Sequence, residues 1–163
     1  LPADVDDVGT VGDEGLRVGL AFVRGLALAN AKPAVGIDHF KIIAHAIGAA
    51  PHPVLIIRES KRADLFCAWL NTDHQLSDYF LSPAQPLIDS LPNDFLIAGN
   101  GAAQLTTLNP ALHKNLLHIS DTDCIHSLAT LTATAEITTA TAPQPLYLRE
   151  ADVTAPRQNA CIA

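Results

Sequence analysis

Hydroxyl, carboxyl and imidazole groups lie close together in the sequence at Asp123, His126 and Ser127, which are the residue types of a hydrolytic triad. Proximity along the chain does not place a base beside a nucleophile. The chain also has no G-x-S-x-G segment, which would present a serine on a sharp turn. The sequence therefore predicts no catalytic residues and no peptidase site.

The histidines are the residues best suited to bind a metal, but their spacing does not favour it. His39 and His45 are six positions apart, and His113 and His118 are five apart. Two ligands on one face of a helix need a spacing of four. We predict no metal site.

Three cysteines are widely separated, at Cys67, Cys124 and Cys161, and form no C-x-x-C pair. An odd number without such pairs indicates neither a disulfide framework nor a zinc site, and favours a reducing cytoplasm. Cys67 lies between Phe66 and Trp69 in a predicted strand, which is typical of a core thiol rather than a nucleophile.

A short glycine turn, Gly99-Asn100-Gly101, follows an apolar run and precedes a predicted helix. Backbone N–H groups at such a position can bind a phosphate, so these three residues are a candidate nucleotide site for ATP or ADP. A lone G-x-G is more often a tight turn, so no cofactor is predicted with it.

Composition indicates one compact domain over residues 1–163, with 48% hydrophobic and 17% charged residues. The net charge is −7 and only ten residues are Lys or Arg. Affinity for nucleic acid comes largely from cations that neutralise phosphates, so we expect no direct binding to nucleic acid. The most apolar stretch, Val18 to Val23, is far below the ~20 residues that cross a bilayer, and no membrane role is expected.

Alternating helix and strand signals predict an α/β fold. Helices are predicted at Asp13–Ala31, Asp38–Gly48, Pro83–Leu91, Ala102–Leu108 and, in part, Thr122–Ala140. Strands are predicted at Pro33–Ile37, Val54–Ile57, Ala63–Leu70, Ser77–Leu81, Phe95–Ala98 and Asn115–Ile119.

The first predicted helix carries small residues at regular spacing. Ala21, Gly25 and Ala29 are four positions apart and form one ridge, and Gly15 and Gly19 form a second small pair. Glycine inside a helix costs about 1 kcal/mol relative to alanine, so a packing reason is expected. Packing inside the domain and packing in a subunit interface both remain open.

Six segments resemble one protein family in order and spacing. They are Gly15–Ala21, Arg24–Ala29, Lys32–Ile37, Glu59–Phe66, Ala98–Ala102 and Pro145–Arg149. They are similar to GLRIGLA, KGLALA, PLVGVS, DARRGEVY, GxGA and PxYLR of the TsaB family, also called YeaZ or the glycoprotease-like M22 homologues. The match covers about the last two-thirds of the family's usual length.

The resemblance implies an actin-like ATPase fold, related to ribonuclease H, incomplete at the N-terminus. It also implies a non-catalytic role in forming threonylcarbamoyladenosine on tRNA. The partners would be TsaD and TsaE homologues, or a second copy in a homodimer. The implied interface comprises Leu16, Arg17, Leu20, Ala21, Arg24, Gly25, Leu28 and Ala29.

The chain departs from the family before the first helix. The family has GPGSFTG there, whereas Gly9–Gly15 reads GTVGDEG and keeps only the outer glycines. The family's opening strand with an AIDT-like motif has no counterpart. A small M22-like peptidase or an actin-fold ATPase is the alternative function.

Overall fold

The computed structural model describes residues 13–60, 63–135 and 143–148. Its helices are α1 (Asp13–Ala29), α2 (His39–Ile47), α3 (Ala84–Asp89), α4 (Ala102–Leu108) and α5 (Asp121–Thr134), with a 3₁₀ helix at Pro110–Asn115. Its strands are β1 (Val54–Glu59), β2 (Asp64–Leu70), β3 (Phe80–Pro83) and β4 (Leu96–Ala98). No helix among these described ranges is long and apolar enough to cross a membrane.

One mixed sheet has the order β3-β2-β1-β4. β1 pairs antiparallel with β2, from Val54 opposite Leu70 to Glu59 opposite Leu65. β1 also pairs parallel with β4, while β2 pairs antiparallel with β3. The predicted hairpin and third strand are confirmed, although the third strand begins at Phe80 rather than Ser77.

Helices pack on both faces of the sheet, and β1 contributes side chains to both because successive residues of a strand point to opposite faces. Leu55 and Ile57 point to one core cluster, which includes residues of α3, α4 and the 3₁₀ helix. Val54 and Ile56 point to the other, which includes α2 and part of α5. All four side chains are completely buried, which explains the unbroken apolar run.

The second helix forms as its local signals predict. The Asp38 carboxylate accepts a hydrogen bond from the Phe40 amide, 2.7 Å away, and Gly48 ends the helix at a positive φ of 61°. These are the expected N-cap and C-cap roles.

Two predicted strands are wrong. Residues 32–38 form no strand, and there Gly36 packs against Pro143 instead of pairing with the sheet. The second wrong prediction is the strand Asn115–Ile119. Asn115 is instead the last residue of the 3₁₀ helix that Asn109 caps, and only a single β-bridge, between Leu116 and Ile97, forms in this segment.

Several predictions lie partly outside the described residues. These are the segment before Asp13, the helix beyond 135, Arg149 of the C-terminal motif and the full extent of the 1–163 domain.

Candidate functional site

The most prominent surface of the chain is α1, which is apolar nearly all round. Its sequence is DEGLRVGLAFVRGLALA. Helices with this pattern are normally buried, yet Val18 is 69% exposed, Phe22 66% and Leu28 84%. None of the principal helix and strand contacts among the described residues involves α1. Within the part of the chain that the structure describes, the helix therefore presents a large uncovered apolar surface.

One stripe of α1 does contact its own chain. Arg17 Nε donates a hydrogen bond to the Tyr147 hydroxyl at 3.2 Å, and an Arg24 Nη2 donates to the Pro143 carbonyl. Leu20 and Ala27 lie on this stripe and are half-buried, unlike the other α1 side chains described. Residues 143–148 therefore run along this side.

The adjoining side carries the small-residue ridge, since Ala21 lies one turn after Arg17. Ala21, Gly25 and Ala29 are exposed, and a Cβ added to Gly19 or Gly25 would meet no atom within 4 Å. Among the described residues, Gly19 and Gly25 therefore have no packing partner, and a partner backbone could approach the helix closely at these two positions.

The predicted interface residues divide between these two sides. Arg17, Leu20 and Arg24 lie on the stripe beside residues 143–148, and the ridge of Ala21, Gly25 and Ala29 adjoins it. The other two predicted interface residues, Leu16 and Leu28, are exposed. The sequence prediction missed Val18, Phe22 and Leu26, which project from the uncovered side. The sequence feature that could have predicted these residues is that apolar side chains occur nearly all round the helix.

The glycine turn has a structural explanation within the fold. Gly99 has a φ of 101°, and a Cβ there would overlap the Ile57 carbonyl. A Cβ on Gly101 would lie 2.6 Å from the Ile57 Cγ2 atom. The Asn100 side-chain oxygen accepts a hydrogen bond from the Glu59 amide at 3.2 Å. The turn thus packs on β1, and nucleotide binding by it stays a prediction.

Asn100 and Gly99 also border a cleft of about 440 Å³, which we name the Arg58 cleft. It lies between the start of α2, the end of β1, the turn after β4 and the start of α5. Its polar lining residues are His39, Arg58, Asn100, His118, Asp121 and Cys124, and its apolar ones are Ile43, Leu117 and Ile119. Apart from the glycine turn, the residues of this cleft were not predicted from the sequence as a site.

Arg58 dominates the electrostatics of the cleft. Partial burial lowers the pKa of Arg58, although the guanidinium stays charged. Loss of water around the ring, and then the Arg58 charge, lower the pKa of His39 to about 4, although the residue as a whole is exposed. Burial followed by Asp121 and Asp123 raises the pKa of Cys124. His39 and Cys124 are therefore neutral near pH 7.

The possible catalytic residues lie in unreactive settings. Ser127 is only 5% exposed, on the inner side of α5. Asp123 is engaged in a capping box with Ser120. Cys67 is fully buried, and burial raises its pKa to about 12. The prediction that Cys67 is a core thiol is confirmed.

Within the ranges that the structure describes, no group of three His, Cys, Asp or Glu residues could hold a metal ion.

Comparison with known proteins identifies similar folds. The profile of the family described as "TsaD: tRNA N6-adenosine threonylcarbamoyltransferase" matches residues 13–155. A Pseudomonas aeruginosa crystal structure, described as an uncharacterized protein with similarity to peptidase YEAZ, has a TM-score of 0.58 and 18% identity. That alignment covers 86% of this chain and 70% of the other.

A second solved structure, YeaZ from Pseudomonas aeruginosa, has a TM-score of 0.49 and 16% identity, over 77% of this chain and 64% of its own. No curated protein sequence matches the chain significantly. The predicted α/β fold of the actin-like type is confirmed by the family match and the first structural alignment.

Proposed function

The chain belongs to the TsaD family, and from that premise we propose that it is a non-catalytic scaffold subunit in threonylcarbamoyladenosine formation on tRNA, pairing through α1. The observation that carries this proposal is the uncovered apolar side of α1. Val18, Phe22 and Leu26 are each about half exposed or more, beside a ridge of small residues. Such a surface is typical of a protein interface.

The ridge would let a partner helix approach closely. Ala21, Gly25 and Ala29 span about 12 Å along the axis at 1.5 Å per residue, which is enough for a helix crossing. The glycine at its centre costs helix stability, and close packing of a partner backbone would offset that cost.

The free energy available from α1 alone is limited. Burying Val18, Phe22 and Leu26 would contribute roughly 5–9 kcal/mol, at about 1.5–3 kcal/mol for each side chain. Association itself costs roughly 4–15 kcal/mol. A stable complex therefore needs further contacts from the partner, and we expect α1 to be the centre of a larger interface.

We propose a catalytic TsaD-type protein as the main partner, with a TsaE-type protein in the same assembly and a homodimer in its absence. The net charge of −7 fits a subunit that leaves tRNA binding to its partner. We propose that the chain acts in the cytoplasm with these partners.

The peptidase alternative has less support from the residues concerned. Ser127 is buried and Asp123 is bound to its cap, so neither is placed to attack a substrate. Purified chain incubated with casein and with ATP would test the enzymatic alternatives, since turnover of either would contradict a purely scaffolding role.

The decisive experiment compares Gly25→Leu with Ala103→Leu. A Cβ on Gly25 would meet no described atom within 4 Å, whereas Ala103 is an exposed residue of α4, which has no principal contact with α1. Both changes add a leucine to a helix surface, so they are matched in chemistry. Titration calorimetry against a TsaD-type protein should show at least tenfold weaker binding for Gly25→Leu and little change for Ala103→Leu.

Size-exclusion chromatography of each variant alone would report on the homodimer. Circular dichroism and urea unfolding should show that Gly25→Leu remains folded, because a Cβ at this position meets no atom of the described residues within 4 Å. Equal affinity of both variants for the partner would contradict pairing through α1.

A further inference from the structure

We propose that the Arg58 cleft binds a small organic anion of low charge, whose carboxylate or phosphate group contacts the Arg58 guanidinium. This site is separate from the α1 surface, and its occupancy does not depend on the pairing role. The structural reasons are the position of Arg58, its neutral surroundings and the mixed lining of the cleft.

The position of Arg58 follows from the alternation of β1. Val54, Ile56 and Arg58 point to the same side of the sheet, and the first two are completely buried in the cluster beneath α2. Arg58 therefore continues an apolar stripe with a cation at the strand's end, where the cleft opens. Among the described residues Arg58 has no acidic partner, and a half-buried charge without one is costly, so this placement needs a reason.

No acidic residue of the described chain forms an ion pair with Arg58. Asp121 lines the cleft but is exposed, and it is not among the groups that shift the pKa of Arg58. His39 and Cys124, which do act electrostatically with Arg58, are neutral near pH 7. The guanidinium therefore retains its positive charge, and its hydrogen-bond donors are available to a ligand.

The rest of the lining indicates what kind of anion fits. The Asn100 oxygen accepts from the Glu59 amide, which leaves its amide nitrogen as a donor, and His118 adds a second polar group. Ile43, Leu117 and Ile119 would contact an apolar body. The volume of about 440 Å³ lies in the range of small-molecule sites.

The charge of the cleft limits the charge of the ligand. A single guanidinium can bind one carboxylate or phosphate in a bidentate manner, and Asp121 at the same cleft would repel further negative charge. We therefore expect a monocarboxylate or a phosphomonoester to be preferred over a polyphosphate.

The test is a titration of the ¹⁵N-labelled chain with butyrate, phenyl phosphate and ADP at constant ionic strength. Butyrate or phenyl phosphate should shift the amides of Gly99, Asn100 and Leu117, and their relative affinities distinguish a carboxylate from a phosphate ligand. ADP should bind no more tightly than phenyl phosphate. Absence of shifts with both of the first two probes, or ADP binding more than tenfold tighter than phenyl phosphate, would overturn the proposal.

Three variants assign the binding to Arg58. Arg58→Gln should weaken it about tenfold to a hundredfold, which is the worth of a charge-assisted hydrogen bond. Lys41→Gln removes one exposed cation of α2 that does not line the cleft and should have little effect. Asp121→Asn should tighten binding, because it removes the repelling charge.

The opposite signs of these effects keep the test decisive if one variant is unstable. The amide spectrum of each variant without ligand shows whether it folds. Equal affinities in the wild type, Arg58→Gln and Asp121→Asn would show that the anions bind elsewhere, which contradicts the proposal.

Discussion

Arg17 and Tyr147 are joined in two ways across 130 positions of the chain. The guanidinium Nε donates to the phenolic oxygen at 3.2 Å, and the guanidinium carbon lies 5.8 Å from the centre of the ring. Two turns further along the helix, Arg24 donates a hydrogen bond to the Pro143 carbonyl. These contacts attach α1 to residues 143–148, and they determine which side of the helix remains uncovered.

Removing the second attachment should loosen α1 without weakening the sheet. Arg24→Ala deletes the hydrogen bond to Pro143, worth about 1 kcal/mol. We expect amide exchange in α1 to become roughly fivefold faster, while the amides of β1 exchange as in the wild type. Hydrogen exchange followed by mass spectrometry measures both. Lys41→Ala is the control, and equal acceleration in β1 and α1 would contradict this account.

The cap of α2 should contribute measurably to stability. The Asp38 carboxylate accepts from the Phe40 amide and from the Tyr79 hydroxyl, and Tyr79 stacks on Phe40. Asp38→Ala removes both hydrogen bonds and should cost about 2 kcal/mol in the free energy of unfolding. Asp38→Asn keeps an N-cap oxygen and should cost less than half as much. Urea unfolding distinguishes them, and equal losses would mean that the cap oxygen contributes nothing.

Helices and strands that are determined by neighbouring residues, such as helix caps and apolar runs, were predicted correctly from the sequence. Asp38 and Gly48 bound α2 as expected, and the apolar run from Val54 became a strand buried on both faces. Pro33–Ile37 also looks like a strand, but a strand needs a hydrogen-bonded neighbour. That segment instead contacts Pro143, which lies more than a hundred positions later.

The candidate surfaces could not be predicted from local sequence, because they depend on contacts between residues that are far apart in the chain. The small-residue ridge was visible in the spacing of Ala21, Gly25 and Ala29, but an almost wholly apolar helix does not reveal which side faces its own domain. The contacts of Arg17 and Arg24 decide it. The Arg58 cleft was missed because it combines residues of α2, β1 and α5, although an arginine after four buried residues was a usable signal.

The buried thiol of Cys67 should make stability fall at alkaline pH. Burial raises its pKa from 9.0 to about 12. Above about pH 9 the unfolded chain loses this proton while the folded chain keeps it, so deprotonation lowers the free energy of the unfolded state relative to the folded state. Stability is therefore fully present below pH 9 and decreases as pH rises, with a slope of at most about 1.4 kcal/mol per pH unit.

The measurement is urea unfolding in reducing buffer at pH 7.5, 9 and 10. Cys67→Ala should be less stable than the wild type at pH 7.5, by about 1 kcal/mol, but should lose less stability on going to pH 10. Cys124→Ala is the control, because Cys124 is only partly buried. The same alkaline loss in Cys67→Ala and the wild type would show that Cys67 is not its source.

The same substitution at two glycines should change stability in opposite directions. Gly99 has a φ of 101° and lies against the Ile57 carbonyl, so Gly99→Ala forces both backbone strain and overlap. We expect a loss of at least about 2 kcal/mol in the free energy of unfolding. Gly25 is helical and has open space, so Gly25→Ala should add about 0.5–1 kcal/mol.

Urea unfolding of both variants should be measured at two protein concentrations, because self-association through α1 would make the apparent stability concentration-dependent. At the lower concentration Gly25→Ala should exceed the wild type in stability, and at the higher concentration the gain should shrink if the ridge packs against a second copy. Destabilisation by Gly25→Ala at both concentrations would mean that Gly25 packs within its own chain, so that the ridge is not an outside surface.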